Sequence, residues 1–325
     1  RASRSPLTLP TLPEWFAPGA AEAAGPSPPG AEGSYWPEEP ALDEARFAAY
    51  GESWARRRER IRSQSPNGQL KGWDIRSYIV KAGDDIRQEE LAMQLIKTFH
   101  AVWVQARLPV YLRPYEVVSI SNSTGLIETV PDSVSLDSLK KPLPASTTLL
   151  QYFYHVYGPP DSTAFKFAQR NFTESLVGYS IVTYLLQVKD RHTGNILLTR
   201  KGHLVHIDFG FILASSPGGM NFESAPFKLP LEYVEVMGGP DSDVFQYFKV
   251  LMFAAFMQCR KHMDRIVTLV RMMLPGEKLP CFAGDGLAAV RDLEARFNLT
   301  LPESDLVVWI RDMIESSMDN WRTRQ

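Results

Sequence analysis

One stretch constrains this chain more than any other: Val188 to Gly210, VKDRHTGNILLTRKGHLVHIDFG, which strings carboxylates, an amide and imidazoles along two short apolar runs. The runs Ile196-Leu197-Leu198 and Leu204-Val205-His206-Ile207 predict a strand pair with Arg200-Lys201-Gly202 as its turn. A polar loop carrying Asp190 and Asn195 leads into the pair, and Asp208-Phe209-Gly210 leaves it, so closing the hairpin gathers the three side chains. Hard oxygen ligands of this kind suit Mg²⁺, which is held by one or two protein groups plus the phosphates of a substrate.

Composition sets outer bounds. With 325 residues, 44 % of them apolar, the chain can bury a large core in one or two domains. A formal net charge of -2 argues against a general polyanion binder such as a nucleic-acid coat. Cys259 and Cys281 fit no metal-binding spacing, and so few cysteines suit a reducing compartment. The apolar runs near Leu176 to Val188 and Val250 to Met257 are too short or too interrupted to span a bilayer, so any membrane contact is expected to be peripheral. The first residue is Arg and no signal-peptide pattern follows, which reads as a piece of a longer cytoplasmic chain.

Along the chain, residues 1–41 are crowded with Pro, Ala, Gly and Ser and read as a disordered linker with isolated aromatics Trp15, Phe16 and Trp36. Residues 42–71 read as a helix and a turn-rich loop. The helix ends in the basic run Arg56 to Arg62, which suits a solvated helix terminus or an anionic membrane surface; nucleic-acid binding has no other support. The loop, Ser63 to Gly68, contains Ser65. A strand is expected over Trp73 to Lys81, then a helix opened by the acidic residues after Gly83 and continued by the stripe Leu91, Leu95, Phe99 and Val102. Val110 to Ser121 and Gly125 to Val130 predict two more strands, and 131–148 a loop. Phe165 to Leu186 predicts a buried helix leading into the Asp190 loop. Phe211 to Pro230 reads as a flexible polar loop where a substrate could lie. Leu231 to Gly239, Asp243 to Met273, Gly286 to Phe297 and Pro302 to Asp319 complete the helices.

The order Asp190, Asn195, Asp208-Phe209-Gly210 is that of protein kinases, where the first Asp faces the attacking hydroxyl and the Asn and second Asp hold metal. Protein kinases place His-Arg before the Asp, whereas Asp190-Arg191-His192 runs the other way and resembles the phosphoinositide kinase superfamily. The segments Val80 to Glu89 (VKAGDDIRQE), Ala168 to Phe172, Tyr184 to His192, His203 to Leu213, Phe227-Lys228-Leu229 and Val236 to Gly239 make residues 72 to about 320 similar to the type III phosphatidylinositol 4-kinases.

That resemblance implies a two-lobed α+β fold of protein-kinase type, with a small β-rich N-lobe over 72–130 and a larger, mostly helical C-lobe over 131–325. It implies ATP and Mg²⁺, with Mn²⁺ as the alternative ion. Phosphatidylinositol would be the substrate, met at a cytosolic membrane face such as the Golgi. Lys81 would bind phosphate with Glu89 steadying it, Asn195 and Asp208 would hold the metal, and Asp190 with His192 would handle the substrate hydroxyl, the base being either of the two. Ser65 lies in the phosphate-covering loop. Ile79, Val130, Leu197, Ile207 and Tyr115 would sandwich the adenine, and Glu128 to Val130 would pair their backbone with it. His206 reads as a structural strand residue. Thr129 stands where the family usually has Pro, and the chain stops at Gln325 where the family continues into a further helix. A lipid 3-kinase acting on multiply phosphorylated inositides would want a basic cluster after Asp208, and Phe211 to Pro230 holds Lys228 alone. The rivals are a phosphatidylinositol 3-kinase or related protein kinase, and an inactive scaffold for lipid or small GTPases. Small GTPases or adaptors are also the expected protein partners.

Overall fold

The computed structural model describes residues 44–319 apart from 84, 122, 145, 216–224, 276–278 and 283. The expected linker over 1–41 with Trp15, Phe16 and Trp36, the middle of the loop after Asp208 and the terminal 321–325 lie outside the described residues.

The chain is α+β and mostly helical, with two small antiparallel sheets. Strands β1 (Tyr78–Ala82), β2 (Val117–Ser121) and β3 (Thr124–Glu128) form the first sheet in the order β1-β3-β2. Lys81 lies opposite Gly125 and Ile79 opposite Ile127, so these four share one face by the two-residue period of a strand. Helix α2 (Arg87–Gln105) packs against β2. Gly125 permits the fit: a Cβ there would meet the Ile86 side chain at 1.9 Å and the Val118 carbonyl oxygen at 2.7 Å. The expected stripe Leu91, Leu95, Phe99 and Val102 is at most 1 % exposed. Beyond it, the Trp103 indole donates to the Ala255 carbonyl at 3.0 Å and ties α2 to the helical region.

The second sheet, β4 (Ser133–Ser135), β5 (Ile196–Thr199) and β6 (Leu204–His206), has the order β4-β5-β6. Beneath it runs α5 (Thr163–Leu186), capped by the Ser162 hydroxyl and closed at Gln187 in the left-handed region. The Ser175 hydroxyl accepts the Leu204 amide at 2.8 Å, so the hairpin sits directly on α5. Among the described residues the remaining helices are α1 (Trp54–Gln64), α3 (Leu136–Lys140), α4 (Leu149–Tyr157), α6 (Leu231–Val236), α7 (Asp243–Lys261), α8 (Met263–Met272), α9 (Gly286–Arg296) and α10 (Glu303–Asp319). Helix α5 packs on α4, α7 and α9, around a core that includes Phe172, Phe248 and Phe256. None of these helices is long and apolar enough to cross a membrane.

Several boundaries differ from expectation for identifiable reasons. The helix expected from residue 42 is a 3-10 segment, Glu44–Tyr50, and then α1, broken at Gly51 with φ 66°. The basic residues of α1 are partly spent on neighbours, Arg58 on Asp74 and Arg60 on Glu52, both at 2.7 Å and solvent-exposed. Strand β1 is shorter than Trp73 to Lys81. Val110 to Glu116 is not strand, because Tyr111 donates to the Glu174 carbonyl and Arg113 to the Tyr179 hydroxyl, so α5 captures this segment. Residues 131–148 contain β4 and α3 instead of a loop; β4 owes its existence to pairing with distant β5. Asp243 to Met273 is two helices parted at His262 (φ -113°, ψ 20°).

Because the Val118 carbonyl is backbone and cannot swing aside, Gly125→Ala is expected to cost about 1–3 kcal/mol by overpacking, read as a lower urea midpoint at unchanged slope.

Candidate active site

The Asp190 loop and the Asp208 loop are held together by one buried guanidinium. Arg191, 6 % exposed, donates from Nε to the Lys189 carbonyl at 3.0 Å, from one terminal nitrogen to Ile207 O at 2.7 Å, and from the other to Asp208 O. The Lys189 amide donates to Phe211 O at 3.0 Å, so both strands leading from the hairpin are clasped again one step further on. Burial pulls the Arg191 guanidinium below its usual range, against the opposing pull of the Asp208 and Glu89 carboxylates.

Asn195 completes the cluster. It is 8 % exposed, its Nδ2 donates to Asp190 O at 3.1 Å, and its carbonyl accepts the Ile207 amide at 3.1 Å, which places it across the hairpin from the residue before Asp208. With Nδ2 committed, Oδ1 is the side-chain atom left to face a cation. Asp208 is exposed, with one oxygen accepting the Gly210 amide at 3.2 Å. One amide oxygen and one carboxylate fit the sparse protein share of a Mg²⁺ shell. Among the described residues no group of three or more His, Cys, Asp or Glu could hold a metal by itself. Asp190 and Asp208 both take left-handed backbone, φ 61° and 62°, which for a non-glycine residue is the kind of local strain found at functional sites.

His192 stands beside Asp190, with Nε2 4.0 Å from Oδ2. Its Nδ1 accepts the Gly194 amide at 3.0 Å, so the neutral ring carries its proton on Nε2. A side chain on Gly194 would come within 2.8 Å of this ring, and nothing in the residue pattern announces that constraint.

The first turn of α2 grips the Asp208-Phe209-Gly210 backbone. Gln88, 3 % exposed, donates to Phe209 O at 3.1 Å and Gly210 O at 2.5 Å, and accepts the Cys281 amide at 2.8 Å. Glu89 accepts the Phe209 amide at 2.5 Å and the Tyr115 hydroxyl. Burial raises the Glu89 carboxyl above its usual value, with those two hydrogen bonds opposing. The described bonds of the expected ion-pair partner Glu89 thus go to a phenol and a backbone amide. Tyr115 is not a base-stacking residue; it is 2 % exposed and points its hydroxyl at Glu89.

Of the other expected residues, Ile79 is 55 % exposed, while Val130, Leu197 and Ile207 are half-buried. The Glu128 and Thr129 amides are spent on Glu116 O and Ser77 O, and Glu128's carboxylate accepts the Glu116 amide at 2.8 Å. Ser65 is not brought to this cluster by any described bond; its hydroxyl accepts the Asn67 amide at 3.2 Å within its own turn. His206, 4 % exposed, stacks on Tyr179 at 4.6 Å and is held neutral by burial, as a structural residue should be. Gln88, Arg191 and Lys228, whose Nζ donates to Arg191 O at 2.8 Å, belong to the site although sequence reasoning assigned them no role there. For Gln88 and Arg191 the available signal was adjacency, each lying next to a residue that was picked.

Comparison with known proteins gives the family of the chain. The family model described as phosphatidylinositol 3- and 4-kinase matches residues 76–283. The chain is 50 % identical over 275 residues to "Phosphatidylinositol 4-kinase" of Dictyostelium discoideum, covering 85 % of this chain and 23 % of that protein. It is 50 % identical over 311 residues to "Phosphatidylinositol 4-kinase beta 1" of Arabidopsis thaliana, covering 94 % and 27 %. To "Phosphatidylinositol 4-kinase beta" of Homo sapiens it is 45 % identical over 288 residues, covering 89 % and 34 %. The chain thus spans about a quarter to a third of the length of these relatives.

The raised Glu89 carboxyl has a testable sign. As pH rises above about 4.3, the unfolded chain ionises first, so the folded state loses stability until its own higher value is passed. Glu89→Gln never ionises, so the variant-minus-parent unfolding free energy should climb over that interval and then level off in urea titrations at successive pH. A difference flat with pH would contradict the assignment.

Proposed function

Because the chain belongs to the phosphatidylinositol 3- and 4-kinase family, we propose that it transfers the terminal phosphoryl group of ATP to the 4-hydroxyl of phosphatidylinositol at a cytosolic membrane face, the Golgi being the expected one. The observation that carries this reading is the clasp of Arg191 on the Ile207 and Asp208 carbonyls, which sets Asp190, Asn195 and Asp208 at one end of a hairpin. Family membership implies a kinase-like fold, and we read 72–130 as the N-lobe and 131–325 as the C-lobe.

Each residue then has a task. Ile79, Val130, Leu197 and Ile207 line the slot for the adenine, and the Val130 amide donates to its edge. Lys81, on the strand opposite Gly125, reaches the nucleotide phosphates. Asn195 Oδ1 and Asp208 would hold Mg²⁺, which when bound neutralises charge developing on the migrating phosphoryl group. Asp190 takes the proton of the attacking hydroxyl. His192 is the poorer base, because its Nδ1 is occupied by the Gly194 amide and its Nε2 bears the proton; it donates to the substrate instead.

The acceptor loop supports a sparsely charged headgroup. Between Phe211 and Pro230 the one basic residue is Lys228, and its ammonium is directed at the Arg191 carbonyl. An inositide carrying additional phosphates would lack the cation cluster that such groups call for. The same retained side chains weigh against an inactive scaffold, which needs no metal ligands.

Asp208→Ala should lower ATP-dependent phosphate transfer by at least about 100-fold while leaving the melting transition in place, since the side chain is exposed and its loss removes one charge ligand. Radiolabelled ATP with mixed inositides should yield the 4-phosphate from unphosphorylated phosphatidylinositol; label at the 3-position would favour the 3-kinase reading.

A further inference from the structure

Between the two sheets the chain passes through Thr129 to Asp132, the stretch that leaves β3 and enters β4. Asp132 takes left-handed backbone there, φ 50°, a strained choice for a residue with a side chain, which persists where neighbours impose it. Three contacts do so. The Arg200 amide donates to the Asp132 carbonyl at 2.8 Å, the Trp54 amide donates to Asp132 Oδ1 at 2.8 Å, and Arg200 Nε lies 3.4 Å from that same oxygen. One residue on, the Ser133 hydroxyl donates to the Val130 carbonyl at 2.7 Å, so the turn around Asp132 also fixes Val130.

Trp54 opens α1, and the segment before it is itself seated. Phe47, 4 % exposed, packs edge-on to Tyr157, and the Tyr50 hydroxyl donates to Thr199 O at 3.3 Å. Arg200 donates to Gly51 O at 2.5 Å, with its guanidinium carbon 5.2 Å from the Phe47 ring and 5.4 Å from the Tyr50 ring. A residue 78 positions upstream thus reaches, with a main-chain donor, a turn two residues from Val130. We propose that Trp54, through its backbone amide, and Asp132, through its carboxylate, are positioning residues for the nucleotide, holding the turn that presents Val130 to the adenine. The proposal rests on the reading that places the adenine against Val130. Without the bond, Asp132 relaxes out of the left-handed region, and the nucleotide has to order the stretch on binding.

Two pairs of substitutions test this while sparing the backbone. Asp132→Gly removes the acceptor yet adopts φ 50° without strain, and Asp132→Asn keeps an oxygen for the amide and tolerates the same conformation. Trp54 is the first residue of α1, where a helix has no use for the N–H, and Ser53 before it is extended at φ -62°, ψ 150°, so proline fits there. Trp54→Pro deletes the donor, and Trp54→Ala loses the same indole while keeping it. The measurements are calorimetric binding of ADP, kcat and KM for ATP on phosphatidylinositol vesicles, and thermal melting. Asp132→Gly should weaken ADP binding and raise the KM for ATP about three- to tenfold, the worth of one hydrogen bond, with kcat at saturating ATP within about threefold of parent. Asp132→Asn should recover most of that loss. Trp54→Pro should bind ADP about three- to tenfold more weakly than Trp54→Ala, and the difference should vanish beside Asp132→Gly, because the amide acts through that carboxylate. Lower melting with parent-like ADP affinity in Asp132→Gly would overturn the proposal in favour of a brace for the fold alone. Equal ADP affinity in Trp54→Pro and Trp54→Ala, or a difference that persists beside Asp132→Gly, would overturn it as well. A parent that binds no ADP would remove the adenine reading and this proposal together, whereas a parent that binds ADP no better than any of the variants removes the role of Trp54 and Asp132 alone.

Discussion

The site depends on a single buried cation. Arg191 reaches from the loop that carries Asp190 and closes on carbonyls at Lys189, Ile207 and Asp208, so the loops that carry these two carboxylates are set by one planar group of fixed geometry. Burying a guanidinium is costly unless its donors are met and counter-charge is near. Here the donors meet carbonyls, and the negative potential of Asp208 and Glu89 opposes the desolvation. A lysine at this position would carry charge but could not span the three acceptors in one plane.

The first sheet is joined to this cluster through α2. Gln88 bonds Phe209 and Gly210 carbonyls with one end of its amide and the Cys281 amide with the other, so it links three distant parts of the chain at a point excluded from water. Glu89 adds the Phe209 amide and Tyr115. Shifting α2 would break at least one of these buried bonds, each loss leaving an unmet polar group worth about 1–3 kcal/mol. The position of α2 in turn requires Gly125, since the Ile86 side chain occupies the space a Cβ would need. A residue facing the first sheet therefore helps set the backbone that carries Asp208.

Much of this was legible before any coordinates. The hairpin, its turn and the stripe on α2 follow from apolar periodicity, and the hairpin carries Asn195 and Asp208 at its two open ends. What escaped is what depends on non-local partners. Strand β4 exists because Ser133 to Ser135 find Thr199 to Leu197 across space, and Val110 to Glu116 fails as strand because α5 supplies its partners first. Helix α4, whose Thr148 and Gln151 form a reciprocal cap, had a local signal that went unused. That Glu89 holds the Tyr115 hydroxyl and the Phe209 amide was not legible either, because the partners of a buried carboxylate are settled by which donors surround it and not by order along the chain.

The backbone at Asp190 and Asp208 shows how the fold uses those non-local bonds. Left-handed conformations at two aspartates cost of order 1–3 kcal/mol each and persist only where the surroundings over-determine them. At Asp208 the determinants are the Arg191 bond to its carbonyl, the Glu89 bond to the next amide and the Gly210 amide on its own side chain. At Asp190 they are the Asn195 amide on its carbonyl and the Lys189–Phe211 bond just before it. None of these clamps is itself a reacting group. A relaxed loop would leave both carboxylates without a fixed direction, and any ligand they meet would then have to order them on binding. Folding meets that ordering cost in advance, through buried hydrogen bonds that converge on the backbone at Asp190 and Asp208.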